Sequence, residues 1–218
     1  MKALVLLCLL SSGILPSDAQ INETILARIG STIRNRYNIN GQFAYVLRVP
    51  DTQCTNGPDQ NFLQGDPNID VQNALNQQQV YQGNNIIIAQ PSKMQNYAIH
   101  AEYRLLTPPQ SGAEAPIDIL LRQGGPNECM IFFTRISPCL DRCAGQGPYS
   151  ILNRLGAIAG WGGRKVFYFV EVYSVDQSRR KDVLEALKTI NRRGNVPIFR
   201  CRGNACFNCL ADEARCVA

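Results

Sequence analysis

The sequence predicts an α/β fold, with helices packed against a central sheet. Two kinds of segment predict it. Residues 129–136 (CMIFFTRI) and 165–174 (KVFYFVEVYS) are apolar, aromatic and β-branched, which is the composition of buried strands. Residues 21–36 and 179–192 instead space their apolar side chains along one face of a helix. The core of the chain reads strand, strand, helix, strand, helix, strand, helix, strand, and no internal repeat interrupts it.

The elements follow in order. Residues 1–19 read as a secretory signal peptide: Lys2 precedes an apolar run over 3–10, and Ser17 and Ala19 put small residues at the −3 and −1 positions before Gln20. That run is too short to span a bilayer, and no other stretch reaches about 18 apolar residues, so a secreted, extracellular chain without a membrane span is expected. Residues 20–40 form an N-terminal helical segment, with Ile21, Ile25, Ile29 and Ile33 four apart and Arg28, Arg34 and Arg36 on other faces. Asn22-Glu23-Thr24 is a sequon for N-glycosylation close to the new N-terminus.

A domain over 41–200 follows. Its first strand, 42–49, is stopped by Pro50-Asp51. Residues 51–78, rich in Asn, Gln, Asp and Gly, read as a long polar insertion. A second strand covers 85–90. Pro91-Ser92 then breaks the chain ahead of a helix over 98–106 (AIHAEYRLL), which Pro108-Pro109 ends. Residues 107–117 are a loop, and 117–122 extend the helix or form a turn of their own. After strand 129–136, Pro138 suits the first position of a helix, which places Cys139 and Cys143 in its opening turns. Gly145-Gln146-Gly147-Pro148 interrupts that helix, and 149–159 resume the pattern. Strand 165–174, helix 179–192 and strand 196–201 complete the order. Residues 201–218 are a cysteine-rich tail.

The net charge of +5 is mildly basic. It permits an anionic partner such as nucleic acid or a cell surface, and no long basic run narrows the choice. Of the nine cysteines, Cys8 leaves with the signal peptide. If Cys139 and Cys143 bind metal, then Cys54, Cys129, Cys201, Cys206, Cys209 and Cys216 remain, enough for three disulfides in any of fifteen connectivities. The alternative, a structural zinc in the tail, is disfavoured in an oxidising compartment without histidine.

His100 is the only histidine, and it stands in His100-Ala101-Glu102. A His-rich metal site is thereby excluded, and a Ser-His-Asp arrangement would have to use the same imidazole. Downstream lies Ser137-Pro138-Cys139 with Cys143. The pair of motifs supplies three ligands for Zn2+, an open fourth position, and a carboxylate that shuttles protons. This is the equipment for hydrolytic removal of an exocyclic amine from a nucleobase. On a helix, positions i and i+4 lie roughly 5–6 Å apart at Cβ, closer to chelating distance than to the about 3.5–4.5 Å of a disulfide. His100 and Glu102 would diverge by about 200° in mid-helix, so they can share a cavity only at a helix start. Zinc lowers the pKa of water to about 7, and Glu102 would move that water's proton to the ring nitrogen and the leaving ammonia. Two rival readings use the same residues: a catalytically silent binding module with structural zinc, and a disulfide scaffold with Cys139 and Cys143 oxidised.

On these motifs the chain resembles the cytidine deaminase-like superfamily, within its AID/APOBEC branch. With its signal peptide and extra cysteines it is most similar to the secreted novel AID/APOBEC-like deaminases of ray-finned fishes. The resemblance covers roughly 40–200. It implies a three-layer fold with a central mixed five-stranded sheet flanked by helices. It implies zinc held by His100, Cys139 and Cys143, proton transfer by Glu102, and cytosine in single-stranded DNA or RNA as substrate, with free cytidine as the alternative. The chain departs from the branch where Ile136 replaces the usual Trp before Ser137, and where three residues rather than two separate the cysteines. A base-stacking aromatic must then come from elsewhere. Trp161, set among Gly160, Gly162 and Gly163, is the leading candidate for an exposed aromatic, ahead of Tyr45, Tyr168 and Tyr173. Asn96 and Ser137 are further candidate substrate contacts. The spacing from Glu102 to Pro138 suggests an inserted loop at 107–116.

Overall fold

The structure, a computed structural model, describes residues 21–218, so the signal peptide expected over 1–19 lies outside the described residues. The chain opens on α1 (Glu23–Tyr37). Asn22 caps it, its side-chain oxygen accepting from the N–H groups of Thr24 and Ile25 at 2.9 and 3.4 Å. Leu26, Ile29 and Ile33 are fully buried against the sheet, as their spacing predicts.

β1 (Ala44–Pro50) leads into 51–78, which is not the loop expected. It holds α2 (Asp51–Asn56) and α3 (Asn68–Asn76). Few of their residues point inward: Gln53 and Cys54 from α2, Val71 and Leu75 from α3. That narrow stripe hides the helical period in a polar background. β2 (Tyr81–Gln82) and β3 (Ile86–Ala89) come next, joined by a turn that buried Asp66 organises. The Asp66 carboxylate accepts from the N–H groups of Asn84 and Asn85 at 2.8 and 3.1 Å and from the Tyr81 hydroxyl at 3.0 Å.

A small hairpin, β4 (Ser92–Lys93) and β5 (Ala98–Ile99), precedes α4 (Ala101–Leu106) and α5 (Pro116–Arg122). The helix expected from 98 therefore starts at 101, because Ala98 and Ile99 pair with Lys93 and Ser92. β6 (Glu128–Ile136), α6 (Gly156–Gly160), β7 (Lys165–Glu171), α7 (Arg180–Gly194) and β8 (Ile198–Arg202) follow. The helical pattern read over 149–159 splits into a 3-10 turn at Leu152–Arg154 and the short α6. β9 (Ala205–Asn208) and α8 (Glu213–Cys216) end the chain.

The main sheet has the order β2-β3-β1-β6-β7-β8-β9. β6, β7 and β8 run parallel, and the remaining pairs are antiparallel, so the sheet is mixed. The five expected strands are β1, β3, β6, β7 and β8. Two short edge strands, β2 and β9, extend them to seven. β9 escaped notice because it lies inside the tail, where the Cys201–Cys206 disulfide closes the β8–β9 hairpin at a paired position.

Side chains alternate between the two faces. Val46, Phe132, Phe167 and Phe169 pack with α4–α7 on one side; Tyr45, Leu47, Ile131 and Tyr168 pack with α1–α3 on the other. The result is three layers, and burial on both faces is why β6 reads as one apolar run rather than an alternation. All six remaining described cysteines pair, as Cys54–Cys129, Cys201–Cys206 and Cys209–Cys216, which leaves Cys139 and Cys143 as buried free thiols. Among the described residues no helix is long and apolar enough to cross a membrane.

Candidate metal centre and pocket

The centre forms where β6 leaves the sheet. Ser137 continues the ladder by one bond, its N–H donating to the Glu171 carbonyl at 2.7 Å, while its hydroxyl oxygen accepts from Tyr173 N–H at 3.0 Å. Residues 138–144 then turn rather than wind into the helix expected after Pro138. Buried Asp176 accepts from Leu140 N–H at 3.0 Å, and Ala144 N–H reaches back to the Cys139 carbonyl at 2.9 Å. A Cβ at Gly145 would lie 2.4 Å from the Asp141 carbonyl oxygen, so the turn requires glycine there. This compact turn, not a helical face, brings Cys139 and Cys143 together across three intervening residues.

His100 stands in extended backbone (φ −70°, ψ 150°) as the N-cap of α4, and Glu102 lies in the first turn. The break lets two side chains that would diverge in mid-helix face one cavity, as the sequence required. The imidazole Nδ1 lies 3.2 Å from Cys143 Sγ and 3.5 Å from Cys139 Sγ. The three donor atoms all fall within 4.8 Å of one another.

That donor set fits zinc. Sulfur and nitrogen at ordinary zinc distances on a tetrahedron lie about 3.5 Å apart, close to the separations found. The hydrogen bond between the two sulfurs pulls the Cys139 thiol below its usual range; the same bond, with burial, pushes the Cys143 thiol up. The hydrogen bond to Cys139 raises the imidazole. Two buried free cysteines and an imidazole converging on one point form a cluster that a divalent cation would complete on release of their protons.

Glu102 is 2 % exposed. Burial raises its pKa, and the Thr134 hydroxyl, which donates to Oε1 at 2.7 Å, opposes that shift. Oε2 has no partner among the described residues. Above these groups lies a pocket of about 200 Å³. Its lining combines His100, Glu102 and Cys139 with apolar Pro91, Ala98 and Ile136, with Tyr173, and with polar Gln42 and Ser137. A larger groove of about 470 Å³ near Gln79, Arg104 and Pro109 is lined by none of His100, Glu102, Cys139 and Cys143.

The other expected contacts separate. Ser137 lines the pocket, but Asn96 is exposed at the tip of the β4–β5 hairpin, outside it. Trp161 is not the exposed aromatic expected. It is 9 % exposed and lies against Gly124 and Gly163, where added Cβ atoms would come within 2.7 and 2.9 Å of the indole. Its glycine neighbours thus make room for a packed ring, near the start of β6 and away from the metal centre at its end. Tyr45 and Tyr168 are core residues whose hydroxyls bond each other, which leaves Tyr173 as the pocket aromatic.

Several side chains at the site carried no sequence signal strong enough to single them out. Thr134 and Gln42 meet Glu102 only through the sheet. Beside the mouth, exposed Tyr97 lies under the Arg142 guanidinium, 5.7 Å from ring centroid to Cζ, and contacts Tyr149 at 5.5 Å. Arg142 also donates to the Ala98 carbonyl at 3.0 Å, which ties this platform to the pocket wall. Tyr97 stands three residues before His100 and Arg142 one before Cys143, and that proximity was the available clue.

A family model described as Secreted Novel AID/APOBEC-like Deaminase 1 matches residues 23–218. No curated protein matches the chain.

Proposed function

Starting from a chain that belongs to the Secreted Novel AID/APOBEC-like Deaminase 1 family, we propose that it is a secreted, zinc-dependent deaminase converting cytosine to uracil in single-stranded DNA or RNA. The observation that carries this reading is the convergence of His100, Cys139 and Cys143 with buried Glu102 on one small pocket. The reaction consumes water and releases ammonia. His100 Nδ1 and the two cysteine sulfurs hold the metal. Zinc bound there supplies Lewis-acid activation of water at neutral pH. Glu102, which must not ligate, accepts one proton from the attacking water and passes it to the ring nitrogen, then relays the second, from the hydroxyl added to the ring, to the amine as the C–N bond breaks and ammonia leaves. Pro91, Ile136 and Tyr173 give the base an apolar slot and exclude bulk water.

Three disulfides suit an oxidising, extracellular setting. In this reading residues 1–19 are removed as the signal peptide, and 41–200 carry the deaminase unit. The Tyr97–Arg142 platform beside the mouth favours a polynucleotide over free cytidine, because an exposed ring next to a cation holds single-stranded bases without reading their sequence.

The test is to incubate zinc-loaded mature protein with single-stranded DNA, single-stranded RNA and cytidine, and to measure uracil. Uracil from a polynucleotide, lost in Glu102→Ala with zinc retained, supports the reading. Absence of uracil from all three substrates would leave a silent binding module, and unchanged activity in Glu102→Ala would overturn the mechanism.

A further inference from the structure

We infer that Thr134, oriented by Gln42, is a positioning residue that ties down Oε1 of Glu102 and leaves Oε2 as the oxygen that carries the proton. The inference rests on the deaminase reading. It begins with an anomaly in the core. Along β6, Met130, Phe132 and Thr134 point to the same face of the sheet, and Thr134 is the polar member of that row. It is wholly buried, and β6 is held on both sides, with Thr134 opposite Ala44 of β1 and Phe169 of β7. A hydroxyl in such a place costs stability unless it is fully hydrogen-bonded.

Its bonds have a determined direction. Ile136 N–H donates to Gln42 Oε1 at 3.0 Å, so the amide must present Nε2 to Thr134, at 3.0 Å. The Thr134 oxygen accepts that bond, and its single proton remains to donate. Two acceptors are within reach, Glu102 Oε1 at 2.7 Å and the Ile136 carbonyl at 2.9 Å. The carboxylate is the shorter contact and the charged one, so it takes the proton. Glu102 is therefore gripped at one oxygen by a strand that is paired on both sides. The other oxygen is buried without a partner among the described residues, in a side chain that lines the pocket with His100 and Cys139. Oε2 is the atom free to meet water and base.

A carboxylate that can swing about its χ angles loses this registration. Misplacement by about 1 Å costs on the order of a hundredfold in rate. Thr134→Val keeps the shape and deletes the hydroxyl, so kcat should fall on the order of a hundredfold with KM nearly unchanged. Thr134→Ser restores the hydroxyl and should recover most of the rate. Zinc content and near-ultraviolet circular dichroism should match the parent protein in both. If Thr134→Val fails to fold, Thr134→Ala read against Thr134→Ser carries the same comparison.

An active parent with a Thr134→Val variant of equal kcat would overturn the positioning role. So would a serine variant as slow as the valine one, or a valine variant that loses zinc along with activity. A parent that makes no uracil at all would instead overturn the deaminase reading itself, and the positioning role with it.

Discussion

Nδ1 of His100 lies 3.2 Å from Sγ of Cys143, though 43 residues separate them. One residue stands at the N-cap of α4 and the other closes a turn, and both elements lie on the same face of the sheet. The candidate metal centre is thus a tertiary feature, and zinc content should report on it directly. Cys143→Ser should cost most of the bound zinc, measured by elemental analysis of the purified protein. The non-reduced, metal-stripped and unfolded mature protein should show two titratable thiols, because the other six described cysteines are paired. Zero thiols, with a Cys139–Cys143 disulfide in the mass spectrum, would instead support the scaffold reading.

Four buried phenols set a limit at high pH. Burial raises Tyr37 to about 12, with Asp66 adding to the shift. Burial likewise raises Tyr45 and Tyr168, and it raises Tyr81, whose hydroxyl also donates to the Asp66 carboxylate. The unfolded chain ionises its tyrosines near pH 10. The fold binds these protons more tightly, so the stability they contribute is intact below about pH 10 and declines as pH climbs toward 12. Followed by phenolate absorbance, these four of the eight tyrosines should lag, their signal appearing with the loss of circular dichroism. All eight titrating together near pH 10 with the fold intact would contradict the packing described for them.

The grouping of His100, Cys139 and Cys143 was legible in the sequence because a lone histidine leaves no competitor and because zinc chemistry demands few residue types. The turn that carries Cys139 and Cys143 was not. Pro138 suits a helix start as well as it suits an extended residue leaving a strand, and it is the distant carboxylate of Asp176, bonded to Leu140 N–H, that holds the turn. The sheet's five inner strands were visible as apolar runs, whereas β2 and β9 at its edges are held by pairing partners rather than by composition. α2 and α3 stayed hidden because a helix lying on an already covered core needs only a few inward residues. Thr134 looked like any β-branched strand residue, and only the three-dimensional pairing of β6 with α4 exposes what its hydroxyl touches.

The hairpin beside the pocket offers a test that separates polynucleotide from nucleoside substrates. Tyr97 is 39 % exposed, with Arg142 over its ring. A stacked base is worth about 1–3 kcal/mol, so Tyr97→Ala should weaken single-stranded DNA binding roughly tenfold and leave turnover of free cytidine unchanged. Affinity should also fall with added salt, as phosphate contacts require. Equal losses for DNA and cytidine would place Tyr97 in the base slot, and no loss for either would remove the hairpin from the substrate path.

Trp161 provides an optical check on the geometry. It is the only tryptophan, packed against Gly124 and Gly163 near the start of β6, while the metal centre and pocket lie where β6 ends. β6 has nine residues, and at about 3.3 Å per residue the two ends stand roughly 26 Å apart along the strand. A nucleobase in the pocket cannot stack on the indole across that distance. Tryptophan emission should therefore stay constant while single-stranded DNA is titrated to saturation, with binding followed independently by the anisotropy of a labelled strand. Strong quenching that tracks the anisotropy would bring the indole to the bound strand and restore the role that its glycine-flanked sequence first suggested.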